Sequence, residues 1–257
     1  MDTFEVDGRF ERGMVKSVRE IDLNREREFE NSKVTGDVTR SKQSKYYWAT
    51  RLETERHQNL IESMISGKDV LEIGCSTGGL AAQLSTHSKS YLGTDISDKA
   101  IGLASARGLP KASFVCCDGH SIELPAESFD CVIVDALLHH MDLSVVLVEV
   151  HRLLRPNGIL FFNEPLGTNP LFSLYRALTP GARTPDEHPF RRADIKFMGS
   201  LFDIEEIRWF GFLSIGSAFV RSDSVRRLLS SIDRVLSRTP TRYLFWQFSG
   251  FAVKKAS

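Results

Sequence analysis

Four carboxylates and a histidine pair in the middle of the chain have the spacing of a ligand site. Asp95, Asp118, Asp135 and Glu164 each stand at or near the end of a short apolar run, and His139-His140 follows the third of them. An acidic residue at a strand tip accepts hydrogen bonds from paired hydroxyls such as those of a ribose. An imidazole, with an ordinary pKa of about 6.5, takes a proton near neutrality. Upstream, Val70-Leu-Glu-Ile-Gly-Cys-Ser-Thr-Gly-Gly79 joins an apolar run to a glycine turn. At such a turn backbone N–H groups meet a ligand closely, at the start of the helix expected near Leu80.

These residues need strands to hold them. Runs at 70–73, 91–96, 113–118, 129–135 and 159–164 read as buried strands, with helical patterns between them. Alternating strand and helix implies right-handed crossovers and a parallel sheet. Ligands of such sheets bind beyond the carboxyl ends of the strands, where the carboxylates recur. The stripe 143–154 reads as a helix stopped by Pro156, and Gly158 permits the tight return.

The ordered set of motifs over 69–164 resembles the class I S-adenosylmethionine-dependent methyltransferases. The resemblance implies S-adenosyl-L-methionine as cofactor, with Glu72, Gly74, Cys75, Ser76 and Gly78 around its methionine end. It implies Asp95 on the ribose with Ile96 beside the adenine, and Asp118, flanked by Cys117 and Gly119, on the adenine amino group. Asp135, Ala136 and the residues through His140 then line the methionine side and the substrate mouth. Ser76 stands where the family usually carries a second glycine, and serine is small enough to keep the backbone close. The same serine, with Glu72 before the first glycine, argues against a nicotinamide enzyme.

The expected fold is α/β: a Rossmann-like, seven-stranded, mostly parallel sheet with helices on both faces. An N-terminal helical arm or cap over 1–50 precedes a methyltransferase domain over 51–257, with a lid insertion after strand 5 at about 165–200. In the arm, Tyr46, Tyr47 and Trp48 either pack on the core or close over cofactor or substrate. Segments 204–212 and 243–253 read as two closing strands, which suits the family's antiparallel last strand beside the fifth. The stripe Val225, Leu228, Leu229, Ile232, Val235, Leu236 marks a one-sided helix expected to pack on the sheet.

Lys and Arg number 33, Asp and Glu 33, and the formal net charge is zero. That balance argues against a general nucleic-acid binder. The four cysteines have neither metal nor disulfide-framework spacing. No run reaches the ~20 apolar residues that span a bilayer, and the N-terminus lacks signal-peptide character, so a cytoplasmic location is expected.

The expected activity is methyl transfer to a small-molecule acceptor, oxygen ahead of nitrogen or carbon: a saccharide, a natural-product intermediate or a lipid-linked one. His140 is the first candidate base, then His139; Glu164 and His188 are rival carriers. No metal is expected, although His139, His140, Asp135 and Glu164 are ligands by type. A non-catalytic cofactor-binding module and a protein or RNA methyltransferase are the alternatives. The oligomeric state is not legible.

Overall fold

The computed structural model describes residues 21–36, 44–179 and 184–256. Most of the charged stretch before Ile21, the segment 37–43 and the loop 180–183 lie outside the described residues. Seven strands form one sheet: β1 (Asp69–Ile73), β2 (Ser90–Asp95), β3 (Ala112–Cys116), β4 (Phe129–Asp135), β5 (Leu154–Pro165), β6 (Phe202–Phe210) and β7 (Gln247–Lys254). Their order is β3-β2-β1-β4-β5-β7-β6, and only β7 runs against its neighbours. From β1 the chain winds outward through β2 and β3, then returns to β4 on the other side. The crevice at that reversal, beyond the carboxyl ends, is where such sheets receive ligands.

Nine α-helices accompany the sheet among the described residues: α1 (Leu23–Thr35), α2 (Ser44–Met64), α3 (Ala81–Leu84), α4 (Asp98–Ala106), α5 (Leu143–Leu153), α6 (Pro170–Ala177), α7 (Arg192–Leu201), α8 (Ser217–Val220) and α9 (Asp223–Leu236). Polar N-caps start several of them. Asp22, Ser97, Asp142 and Asn169 each accept a backbone N–H of the following first turn. Alternation along the strands gives the sheet two cores. Leu71, Ile73, Val132, Val134, Leu160 and Phe162 pack with α5 residues on one face. Val70, Tyr91, Cys131, Ile133 and Phe161 pack with Ile61 of α2 and with Ile65 just after it on the other.

Several expectations change. Tyr243 and Leu244 lie in a 3₁₀ turn (Pro240–Leu244), and the last strand begins only at Gln247. Pro240 fixes that turn's first residue, which aromatic β-propensity alone does not reveal. The helix after the glycine turn is a single turn, α3. The aromatic cluster belongs to the start of α2 rather than to an arm, and Trp48 packs under the Arg226 guanidinium at 4.6 Å. The insertion is partly regular: it holds α6 and α7, and Met198 of α7 is buried in the core.

The largest departure is α9. Its buried residues are Arg226, Ser230 and Asp233; of the expected stripe, Val225, Leu229 and Leu236 are half-buried, Leu236 against the core, while Leu228, Ile232 and Val235 face outward. Asp233 accepts the N–H groups of Phe212, Leu213 and Ser214 and the Ser214 hydroxyl. Arg226 donates to the Trp48 carbonyl at 3.1 Å. Specific polar partners, not the apolar stripe, thus decide which face points inward.

Glu72 is also placed by alternation. Its side chain lies on the α2 side of the sheet, where Tyr91 Oη donates to Oε2 at 2.8 Å. Burial pushes its pKa up to about 8, and the charges of Asp135 and Asp95 add to the shift. A carboxyl raised in this way stabilises the fold below its unfolded pKa, and that contribution is lost as pH rises through the folded value. The Glu72→Gln variant is therefore expected to show a shallower loss of stability between pH ~4.5 and ~8 than the parent. Urea midpoints across that range check this; parallel curves for the two proteins would contradict it.

Candidate functional site

The glycine turn after β1 is held by backbone bonds and by one carboxylate. Gly74 N–H and Cys75 N–H both donate to the Thr94 carbonyl, at 2.7 and 2.9 Å. Gly74 has φ +79°, and a side chain there would strike Leu137. Ser76 has φ +47°, and its N–H donates to Asp95 Oδ2 at 2.8 Å. Asp95 Oδ1 takes the Ser97 N–H at 2.9 Å. Burial pushes the Asp95 pKa up, while the Ser97 and Ser76 bonds pull against it. Each oxygen retains lone-pair capacity for a ligand hydroxyl.

Beside this turn lies a cavity of about 210 Å³ at the sheet's carboxyl rim, the rim cavity. Gly74, Ser76, Asp95, Ile96, Cys117, Asp118, Gly119, Asp135, Ala136 and His140 line it, as the sequence suggested. Glu72, Cys75 and Gly78 do not. Glu72 is turned beneath the sheet to Tyr91, and Cys75 is buried below the turn. Gly78 packs instead: a Cβ there would lie 3.2 Å from Ala104 and 3.3 Å from Phe114. Helix α1 roofs the cavity with Leu23, Glu26, Glu30 and Lys33. Arg27 Nε donates to the Ile96 carbonyl at 3.2 Å, and Asn31 meets Asp98 at 3.0 Å and Ser97 at 2.5 Å.

Asp118 is prepared for a donor. Burial works against its charge, but the ring and backbone of His120 outweigh it and hold its pKa low. Both bonds end on Oδ1, at 2.7 and 2.9 Å, and Oδ2 has no donor among the described residues. His120 Nε2 accepts the Asp142 N–H at 3.0 Å, so the ring is neutral with its proton on Nδ1. Asp135 accepts from Asn163 Nδ2 at 2.7 Å, and burial raises its pKa.

The histidines stand between two cavities, with ring centroids 4.2 Å apart. His140 lines the rim cavity, and its Nδ1 lies 3.0 Å from Glu26 Oε1 of α1. Burial disfavours charge on Glu26, but His140 overcomes this and lowers its pKa. His140 Nε2 lies 3.7 Å from Glu187 Oε1 of the insertion. His139 lines the second cavity, and its Nδ1 bonds Glu164 Oε2 at 2.7 Å. Glu164 is fully buried and reaches neither cavity; it also accepts the N–H groups of Leu137 and Leu138. Burial pushes its pKa up to about 8. It is a positioning residue for the His139 ring and for the turn after β4, not a group that touches substrate. His188 N–H donates to the His139 carbonyl at 2.6 Å, but its ring turns to Asp194, with Nε2 at 3.4 Å. One set of possible metal ligands occurs among the described residues, His139, His140 and Glu187, with ligand atoms within 4.8 Å of one another. It draws on Glu187 from the insertion rather than on Asp135 and Glu164.

The second cavity, about 410 Å³, is aromatic. Tyr46 and Tyr47 of α2, Phe172 and Tyr175 of α6, Phe219 and Trp246 line it. Ala136, with φ +54°, is common to both cavities and marks their junction. Sequence reading expected an N-terminal cap over 1–50 but did not name Glu26, His120 or Glu187 as partners. The signals of Glu26 and Glu187 lie in contacts between segments far apart in sequence, whereas His120 stands two residues from Asp118.

Comparison with known proteins agrees with this geometry. A family model described as a methyltransferase domain matches residues 71–162. A phthiotriol/phenolphthiotriol dimycocerosates methyltransferase of Mycobacterium ulcerans is 38% identical over 112 residues, covering 42% of this chain and 41% of that protein. A fatty-acid O-methyltransferase of Mycolicibacterium smegmatis is 30% identical over 112 residues, again 42% of this chain and 41% of that protein. The chain thus spans about two fifths of the length of the curated relatives it matches. Among solved structures, the geranyl diphosphate C-methyltransferase of Streptomyces coelicolor shares the fold at TM-score 0.59 and 14% identity, over 80% of each chain. The N-methyltransferase NodS of Bradyrhizobium japonicum, in complex with S-adenosyl-L-homocysteine, does so at TM-score 0.54 and 18% identity, over 79% of this chain and 88% of that one. Residues 71–162 are thus similar to a methyltransferase domain, and the sheet shares the fold of these solved methyltransferases.

Proposed function

We propose that the protein transfers the methyl group of S-adenosylmethionine to an oxygen of a lipid-like small molecule, working in the cytoplasm. The observation that carries this is the pair of cavities meeting at Ala136, one rimmed by carboxylates and the other walled by aromatic rings. The rim cavity fits the cofactor: Asp95 has lone pairs for ribose hydroxyls, and Asp118 Oδ2 is open to an adenine amino group. The aromatic cavity suits an apolar acceptor, and lipid substrates are named for both mycobacterial relatives. A purely cofactor-binding module needs no such second cavity. A protein or RNA methyltransferase calls for a broad open groove instead.

The cofactor, when bound, supplies an activated methyl group and a good leaving group. The chain binds both partners, aligns them and takes the acceptor proton. We assign that proton to His139. Its ring lines the acceptor cavity and is held at Nδ1 by Glu164. His140 faces the cofactor side and fastens α1 through Glu26.

Two measurements test these roles. Asp95→Ala is expected to weaken S-adenosylhomocysteine binding by about 1–3 kcal/mol through lost charge-assisted hydrogen bonds; unchanged affinity by calorimetry would remove Asp95 from the site. His139→Ala is expected to lower kcat about a hundredfold with little change in that affinity. His140→Ala should show the opposite split, and an exchange of the two phenotypes would make His140 the base. Methyl incorporation from labelled cofactor into long-chain hydroxylated and carboxylated acceptors reads the activity.

A further inference from the structure

Helix α9 presents its apolar side to solvent. Leu228, Ile232 and Val235, spaced i, i+4, i+7, are 62%, 38% and 63% exposed, whereas the polar stripe Arg226, Ser230 and Asp233 is buried. Polar partners lock this orientation, so the outward stripe is a built feature of the fold. At the aromatic cavity, Phe219 of α8 and Leu171 of α6 are also exposed. An outward apolar stripe held in place by buried polar partners marks an interaction surface.

The charges beside it identify the partner. Arg227, Arg234 and Arg238 are exposed along one flank of the stripe, and none has an ion-pair partner among the described residues. Arg234 and Arg238 continue into a cavity of about 640 Å³ that Arg56, Arg208 and Arg242 also line. Glu53 and Asp233 are the acidic residues in its wall. Glu53 is engaged by Arg56, and Asp233 by the backbone N–H groups before α8. The Arg242 Nε is buried without a hydrogen-bond partner. An apolar helix face flanked by unpaired arginines is the pattern of a helix lying in the interface of an anionic bilayer. No helix among the described residues is long and apolar enough to cross a membrane.

We propose that α9, together with the exposed residues of α6 and α8, docks this protein on an anionic phospholipid surface. Leu228, Ile232 and Val235 enter the acyl boundary, and Arg227, Arg234 and Arg238 on the flank take the lipid phosphates. Docking is independent of the reaction proposed above, because it is measured without cofactor or acceptor.

Vesicle flotation of the full chain tests it. Vesicles of phosphatidylcholine with phosphatidylglycerol are expected to bind the protein at least about tenfold more than phosphatidylcholine alone, with the difference shrinking at high salt. The combined variant Leu228→Ser, Ile232→Ser, Val235→Ser should lose about tenfold in vesicle binding while keeping S-adenosylhomocysteine affinity, which shows that the fold is intact. Arg234→Gln with Arg238→Gln should remove the preference for phosphatidylglycerol. Absence of flotation by the parent protein, or equal flotation by the serine variant, would overturn the proposal. So would a parent dimer in solution that does not float and that the serine variant converts to monomer, since the face would then serve self-association.

Discussion

Asp95 accepts the Ser76 N–H at 2.8 Å and the Ser97 N–H at 2.9 Å, and these two bonds join the glycine turn to the start of α4. Burying a carboxylate is costly unless its oxygens are hydrogen-bonded, and here both are. The same bonds fix Ser76 in the left-handed region, which a non-glycine residue adopts only when its surroundings impose it. Rim cavity, turn and β2 tip are therefore one construction. A ligand that reaches Asp95 meets an acceptor already oriented, with little left to reorganise on binding.

A second construction follows β4. Glu164 binds the backbone N–H groups of Leu137 and Leu138 and the His139 ring, so one buried carboxylate shapes the turn and aims the imidazole. Two adjacent histidines thereby serve different cavities. His139 belongs to the aromatic side, and His140 to the side roofed by α1. The roof is tied to the insertion and to the turn after β2: Glu26 meets His140 and Arg25 pairs with Asp186, while Arg27 bonds the Ile96 carbonyl and Asn31 bonds Asp98. An N-terminal helix and the insertion after β5 thus form the site jointly with the sheet.

The sheet was largely legible in the sequence because most of its parallel strands are short apolar runs, and those of β2, β3 and β4 lead into acidic residues at the rim. Asp95, Asp118 and Asp135 could be named for that reason. Glu72 could not be placed, because a one-residue step along a strand changes which face a side chain meets. Gly78 reads as a ligand glycine in a motif, yet its role is close packing against Ala104 and Phe114. Helix α9 misled for a different reason. Its apolar stripe is clear, but the partners that orient it, Trp48 and the backbone at 212–214, are remote in sequence.

The central claim is that a nucleoside lies across the carboxyl rim with its sugar on Asp95. A crystal structure of the protein with S-adenosylhomocysteine tests it most directly. The account predicts both ribose hydroxyls within hydrogen-bond distance of the Asp95 carboxylate, the adenine amino group at Asp118, and the sulfur at Ala136, facing the aromatic cavity. A nucleoside bound elsewhere, or a rim cavity left empty while the ligand saturates another site, would contradict it.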